Sequence, residues 1–355
     1  MRQLPGLIDI EREKSRRSLA YFVRKAWHVV EPSQPYCHGW HIDAVCAHLE
    51  AVSRGEITRL LINIPPGTMK SLLVSVFWPA WEWGPKDKPS TRYVAASHSQ
   101  EFSIRDTLKM RRLVSSEWYQ ERWPTPLMKD QNEKTKFENE QTGFRQAMAM
   151  ASLTGTRGDR VIVDDPHSIE GALSDADRKR TLRVFTETLP SRLSNPDSSA
   201  IVVVMQRIHE QDVSGFILSD ESHHGYVHLM LPMEFEPERR CETPYFTDPR
   251  TYDGELLFPE RFPREVIDRD KKLMGSHAVA GQFQQRPSPR GGGLIKGEWF
   301  GRYRALPPMQ YRIIFADTAQ KTKEHNDFSV FELWGKGEDG KAYLIDMIRG
   351  KWEAP

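Results

Sequence analysis

A strand-like run, Leu60-Leu61-Ile62-Asn63-Ile64, breaks into Pro65-Pro66-Gly67-Thr68-Met69-Lys70-Ser71 and then resumes as an apolar helical stretch. Strand, loop, Lys-Ser and helix in that order build a phosphate cradle. Backbone N–H groups and a helix N-terminus face the anion, Lys70 adds a point charge, and the Ser71 hydroxyl can ligate Mg²⁺. The glycines that a strict motif places at 64 and 69 are replaced by Ile64 and Met69, and the plain alternative is a proline-gated turn that happens to contain Lys-Ser. Downstream, Val161-Ile162-Val163-Asp164-Asp165-Pro166 supplies an apolar strand ending in paired carboxylates. One acid can hold Mg²⁺ while the next orients an attacking water. Together the two segments predict a nucleotide hydrolase.

The chain has 355 residues, which exceeds a typical single core and predicts one large domain plus part or all of a second. Its net charge of +1 excludes a global basic signal for nucleic acid, so any DNA contact falls to local patches. The candidates are Lys109, Arg111 and Arg112, and the 286–296 stretch. Three cysteines without a C-x-x-C pair fit a reducing compartment. No apolar run approaches the roughly 20 residues that span a bilayer, so the expectation is a soluble, intracellular protein. Cys37, His38, His41, Cys46 and His48 crowd together, but their spacing fits no tetrahedral zinc pattern, and a helix packing near the nucleotide is expected there.

Periodicity predicts an amphipathic helix over 11–30, a helix over Trp40–Val52 and a strand over Thr58–Ile64. A helix over Leu72–Trp83 is expected to bend at Pro79. A strand over Thr91–Ser97, a helix from Gln100 to about Val114, and a short strand or hairpin over Thr142–Ser152 follow. Arg160–Val163 and Ala200–Met205 read as strands around a helical Arg178–Leu193. Alternating apolar strands and helices predict an α/β fold, a mainly parallel sheet with helices on both faces. After about residue 230 the sequence turns Pro-, Gly- and charge-rich up to Gly293, and strands are expected at Tyr311–Ala316, Phe328–Trp334 and Ala342–Ile348, the last two forming a hairpin.

Pro-Pro-Gly-Thr-Met-Lys-Ser, Asp-Asp-Pro, the 204–215 run Val-Met-Gln-Arg-Ile-His-Glu-Gln-Asp-Val-Ser-Gly, Gly-Gln-Phe-Gln-Gln-Arg-Pro at 281–287 and Phe-Ala-Asp-Thr-Ala at 315–319 resemble, as a set, the large terminase subunit of tailed bacteriophages. In that family a P-loop NTPase (ATPase) domain is joined by a linker to an RNase H-like nuclease domain, and the Met69 variant of the loop is tolerated. The resemblance implies an N-terminal helical segment with an adenine-side helix at 1–55, the P-loop ATPase core at 56–230, an associated segment and linker at 231–300, and the first strands of the nuclease domain at 301–355.

Carried over residue by residue, the resemblance implies that Pro66, Gly67, Thr68, Met69, Lys70 and Ser71 bind ATP. Ser71 and Asp164 would hold Mg²⁺, and Asp165 would be the catalytic carboxylate, a position more often Glu. Gln206 falls where the family senses the γ-phosphate and relays hydrolysis to movement. Arg157, in the glycine-flanked 154–160 stretch, is the first choice for an arginine at the γ-phosphate, in cis or from a neighbour, with Arg145 and Arg160 behind it. Asp317 would be the first ligand of a nuclease site using Mg²⁺ or Mn²⁺, with Asp327 and Asp346 as possible neighbours. The later ligands of the family are expected beyond residue 355, so nuclease activity of this chain is expected to be absent or weak.

The partners implied are double-stranded DNA, the portal protein and the small terminase subunit. The chain would be a monomer in solution and a homo-oligomeric ring on the portal, without membrane contact. Its expected place is the bacterial host cytoplasm and, transiently, the portal vertex of the procapsid. Two other readings stand beside this one: a P-loop helicase or repair ATPase, which would need a second RecA-like domain, and a catalytically decayed terminase-like docking protein.

Overall fold

The computed structural model describes residues 6–220, 222–288, 300–318 and 329–350, and divides the chain into two compact units, Met1–Gly292 and Gly293–Pro355. The first unit is built on β1 (Arg59–Asn63), β2 (Tyr93–Ser97), β3 (Leu127–Asn132), β4 (Lys136–Asn139), β5 (Phe144–Ala149), β6 (Arg160–Asp164), β7 (Ala200–Met205) and β8 (Val227–Met230). They form one eight-stranded sheet in the order β3-β4-β5-β2-β6-β7-β1-β8. Pairing is parallel from β5 to β8, while the β3–β4 and β4–β5 pairings are antiparallel, so β4 alone runs against the other strands of this sheet. A two-residue pair, β9 (Glu242–Thr243) and β10 (Phe246–Thr247), lies apart from it.

The central strands are apolar on both faces because both faces are covered. Leu60, Ile62, Tyr93, Ala95, Ile162, Val202 and Val204 point into a core with the helices Leu19–Val30, Trp40–Arg54 and Gln100–Val114. Leu61, Val94, Ala96, Val161, Val163, Ile201 and Val203 point the other way, against Phe185, Leu189, Val213 and Ile217. Register then decides where the strand ends meet. Asn63 pairs with Met205, Val204 with Asp164, and Val163 with Ala96, so the C-terminal ends of β1, β7, β6 and β2 finish at one edge of the sheet. In parallel sheets that edge is where ligands bind.

Several expectations change in detail. The 11–30 helix is two helices, Leu7–Arg17 and Leu19–Val30, because Ser18 leaves helical geometry and caps the second, accepting the Tyr21 N–H at 3.2 Å. The bend expected at Pro79 is taken up one turn earlier. Pro79 has no N–H for the carbonyl of residue 75, and Leu73–Phe77 is wound as a π-helix between Lys70–Leu72 and Trp78–Trp83.

The short strand or hairpin expected over 142–152 is the single strand β5, which pairs with β4 ahead of it, and Gly143 is required at the turn between them because a Cβ would lie 1.9 Å from the Pro89 carbonyl oxygen. The polar strands β3 and β4 and the short edge strand β8 have no counterpart in the sequence reading. Nor does the Arg264–Ala278 helix, inside the segment that reads as loop. That segment belongs to the first unit: Leu231 donates its N–H to the Asn63 carbonyl at the end of β1, Met233 donates to the Phe283 carbonyl, and Leu257 donates to the Met233 carbonyl. No helix among the described residues is long and apolar enough to cross a membrane.

The second unit holds β11 (Met309–Asp317), β12 (Ser329–Gly337) and β13 (Ala342–Gly350), an antiparallel sheet whose last two strands turn at Gly340, φ 82°. Ile313 and Phe315 on one face and Ile314 and Ile348 on the other are exposed.

Candidate active site

The loop after β1 reverses direction through two left-handed residues, Gly67 (φ 78°) and Met69 (φ 67°). Gly67 is fixed by contact as well as by dihedral: a Cβ there would lie 2.6 Å from Cζ of Phe262. Met69 accepts a conformation that costs a non-glycine residue about 1 kcal/mol or more, and it stands where a strict motif has glycine. Thr68 Oγ1 closes the turn on the Pro65 carbonyl at 2.7 Å. Behind the loop, His41 lies fully buried against the Phe258 ring, 4.6 Å between centroids, and burial pushes its imidazole down to about 3, so it is neutral.

Lys70 opens the following helix, and its Nζ lies 3.0 Å from Asp165 Oδ2. Ser71 Oγ donates to Asp164 Oδ1 at 3.1 Å, and Ser75 Oγ, one turn on, donates to Oδ2 at 3.3 Å. The two acids face different partners because Asp164 ends β6 in extended form while Asp165 turns left-handed, φ 43°. The Asp165 main chain is held on both sides: its N–H goes to the Val204 carbonyl at 2.9 Å, and its carbonyl accepts the His98 N–H at 3.2 Å. Past the end of β7, Gln206 donates its backbone N–H to Asp165 Oδ1 at 3.1 Å, while its side-chain Oε1 is buried without a partner.

These groups line one cleft of about 740 Å³, which also takes in Trp27, Phe102, Arg105 and Glu170. Burial raises the Asp164 carboxyl to about 7, with Asp165 and Asp106 pushing the same way and Lys70 and Ser71 opposing. A cation beside it would favour its charged form. The donors beside it, a hydroxyl and a carboxylate, are hard oxygen ligands of the kind Mg²⁺ prefers. The residues present therefore fit a Mg²⁺–polyphosphate: Lys70 and the loop N–H groups could take the phosphates, and Ser71 and Asp164 the metal.

Lys70, Ser71, Asp164, Asp165 and Gln206 thus come together, with Pro66, Gly67, Thr68 and Met69 forming the loop that holds them. Arg157 does not join them. It is exposed ahead of the N-terminal end of β6, whereas the acids sit past its C-terminal end, and a five-residue strand separates the two by roughly 17 Å. Arg160 is also structural, paired with the buried Glu82 at 3.1 Å. Arg145 does line the cleft, fully buried, with both terminal nitrogens unpartnered, and burial lowers it to about 10.

Ser75, His98, Arg105 and Asp106 were missed by sequence reasoning. Only Ser75 carried a signal, the i,i+4 spacing from Ser71.

The DNA-contact candidates are partly used internally. Lys109 pairs with Glu31, Arg111 donates to the Asn132 carbonyl at 2.9 Å, and Arg286 lies 3.5 Å from Glu236. The rest of the 286–296 stretch, from residue 289, lies outside the described residues. His38 pairs with Asp43 at 3.0 Å and His48 with Thr243 at 2.8 Å.

In the second unit Asp317 is exposed at the end of β11, opposite Val330, while Asp346 is opposite Leu333. The two acids are three positions apart along the sheet and on opposite faces, so Asp346 is not a neighbour of Asp317. Asp327 lies outside the described residues. Among the described residues no group of three or more His, Cys, Asp or Glu is placed to hold a metal ion.

No protein-family model and no curated protein matches the chain. Among solved structures, it is similar to the large terminase of bacteriophage HK97, with 12% identity and a TM-score of 0.48 over 94% of this chain and 67% of that one. It is also similar to the ATPase domain of the large terminase of Thermus phage P74-26, with 13% identity and a TM-score of 0.45 over 73% of this chain and 96% of that one.

Proposed function

We propose that this chain is a Mg²⁺-dependent ATPase of the large terminase type, which drives double-stranded DNA into a procapsid. The observation that carries the ATPase reading is the convergence, in one cleft, of Lys70 on Asp165 at 3.0 Å and of Ser71 on Asp164 at 3.1 Å. The motif set from 65 to 319 supports the terminase reading, and the translocation role, the portal protein, the small subunit and a ring assembly rest on that resemblance.

In this mechanism Lys70 exchanges partners. Without nucleotide its charge is met by Asp165; an incoming triphosphate offers a stronger, multiply charged acceptor, and the exchange frees the Asp165 carboxylate toward the cleft. The Gln206 N–H keeps one oxygen of Asp165 in place during the exchange, so the acid can orient water at the γ-phosphorus. Ser71 and Asp164 would hold Mg²⁺, which when bound would supply charge neutralisation for the phosphoryl group being transferred. An arginine for the transferring phosphoryl group comes from a neighbour's Arg157 or from the cleft's own Arg105 and Arg145. A nuclease role for Asp317 rests on the resemblance alone.

The test is ATP hydrolysis by the purified chain, with and without double-stranded DNA, beside Lys70→Ala. Mg²⁺-dependent turnover lost in the variant supports the reading. A folded chain that binds no ATP overturns it and leaves the docking-protein alternative.

A further inference from the structure

We propose that His98 is the proton acceptor for the attacking water, with Asp165 acting beside it as the acid that orients the water; this rests on the hydrolase reading above. His98 stands one residue past the end of β2 and is bonded twice to one atom. Its backbone N–H (3.2 Å) and its ring Nδ1 (2.9 Å) both reach the Asp165 carbonyl oxygen. A carbonyl oxygen only accepts, so Nδ1 carries the proton, and in the neutral ring Nε2 is left with a free lone pair. Nε2 has no protein partner among the described residues, and the ring lines the cleft with Lys70, Asp165 and Gln206. Phe102 packs on the imidazole at 4.9 Å between centroids, and the Arg105 guanidinium lies over the Phe102 ring at 5.3 Å.

Asp165 is a weaker choice for the base. Its side chain is one methylene shorter than the glutamate usual at that position. Its Oδ1 already accepts from Gln206 N–H and from Lys70, and Oδ2 also meets Lys70. The charged and titratable groups that line the cleft with His98 are Asp164 and Asp165 from the end of β6, His167 and Glu170 beyond them, Lys70 from the phosphate loop, Arg105 and Asp106 from the Gln100–Val114 helix, Arg145 from β5, and Glu31 and Arg261.

In the step itself, Nε2 takes one proton from water as the water oxygen bonds to the γ-phosphorus. The bond from that phosphorus to the bridging oxygen breaks, and ADP leaves with the electron pair. The imidazolium then returns its proton to the released phosphate or to solvent.

The experiment compares wild type, His98→Gln, His98→Ala, Asp165→Asn and Glu170→Gln for turnover against pH at saturating Mg²⁺ and ATP, with affinity for a non-hydrolysable ATP analogue measured alongside. Saturating Mg²⁺ matters because an acidic limb owed to Asp164 moves with the metal concentration and one owed to His98 does not. The expected result is a wild-type acidic limb that is absent in His98→Gln, with kcat down about 10²-fold or more and analogue affinity changed by no more than about twofold. Free imidazole added to His98→Ala should restore part of the turnover, which a purely structural role would not give. A limb that persists in His98→Gln but vanishes in Asp165→Asn or Glu170→Gln overturns the assignment while leaving the hydrolase intact. A wild-type chain that binds the analogue and never hydrolyses ATP overturns it too, and one that binds no nucleotide takes the hydrolase reading with it.

Discussion

Lys70 and Asp165 form an ion pair across the floor of the cleft, Nζ to Oδ2 3.0 Å, with the lysine side chain 7% exposed. In the proposed hydrolase the pair would act as a latch, the lysine being satisfied by a carboxylate until a phosphate takes its place. Neutralising the acid should therefore release the lysine without removing it. Asp165→Asn is expected to bind ATP at least as tightly as wild type and to hydrolyse it about 10²-fold more slowly, whereas Lys70→Ala loses affinity first. Equilibrium binding of a fluorescent ATP analogue beside single-turnover phosphate release separates the two. An Asp165→Asn chain with weakened binding and normal turnover would contradict the latch.

The raised Asp164 carboxyl makes a prediction about stability against pH. Its value is about 7 in the folded chain against the ordinary 3.8, so between those limits the folded state binds more protons than the unfolded state. Stability is then fully present below about pH 4 and falls as pH rises through that window, by at most ~1.4 kcal/mol per pH unit. Asp164→Asn removes the titrating group, so the slope of Tm against pH from 4 to 7 should be shallower in the variant than in wild type. Mg²⁺ with nucleotide should stabilise wild type most at the upper end of the window, where the carboxylate is free to ligate. Parallel slopes in the two proteins would show that Asp164 is not the group responsible.

Lys70, Ser71, Asp164 and Asp165 were legible in the sequence because the two acids end an apolar strand, and Lys70 and Ser71 open the helix that follows a strand and its turn. Parallel strands bring such ends to one edge whatever the strand order. His98 and Arg105 were not legible, because they reach the site only through the lateral pairing of β2 with β6, and strand order is not written locally. Arg157 shows the same gap from the other side. It is close to the acids in sequence, but the strand between them carries it to the far edge. The polar strands β3 and β4 escape notice because an edge pair needs little apolar surface, and Leu127–Asn132 is mostly exposed.

Gly67 is held by two independent constraints, which a pair of variants can separate. Its φ of 78° disfavours any side chain, and the ring of Phe262 occupies the place of a Cβ, 2.6 Å away. Gly67→Ala should lower stability by roughly 1–3 kcal/mol and weaken nucleotide binding, because the cradle must shift to admit the methyl group. Adding Phe262→Ala removes the contact but not the dihedral strain. The double variant should thus recover part of the binding lost in Gly67→Ala, with Phe262→Ala alone as the reference. No recovery would assign the whole effect to the backbone.

The turn after β7 joins the site to the segment ahead of the second unit. Gln206 gives its N–H to Asp165, and the next N–H, that of Arg207, goes to Gln285 Oε1 at 3.0 Å. Gln285 is 2% exposed, adopts φ 52°, and is held in turn by Arg239, which donates to the Gln285 carbonyl at 3.4 Å and to the neighbouring Gln284 carbonyl at 2.9 Å. Arg207 itself is anchored by Asp212 at 3.0 Å, so the turn can move only as a unit. Gln285→Ala deletes the acceptor of a buried N–H, which costs about 1–3 kcal/mol, but touches none of the groups around the phosphate cradle. Basal ATP hydrolysis by Gln285→Ala should stay within about threefold of wild type at a temperature where both are folded, while amide hydrogen exchange at Arg207 and across 281–287 rises. If nucleotide reaches this segment through the turn, adding an ATP analogue should slow exchange across 281–287 in wild type and not in Gln285→Ala. Equal protection in both proteins would show that the Arg207–Gln285 bond does not carry the coupling.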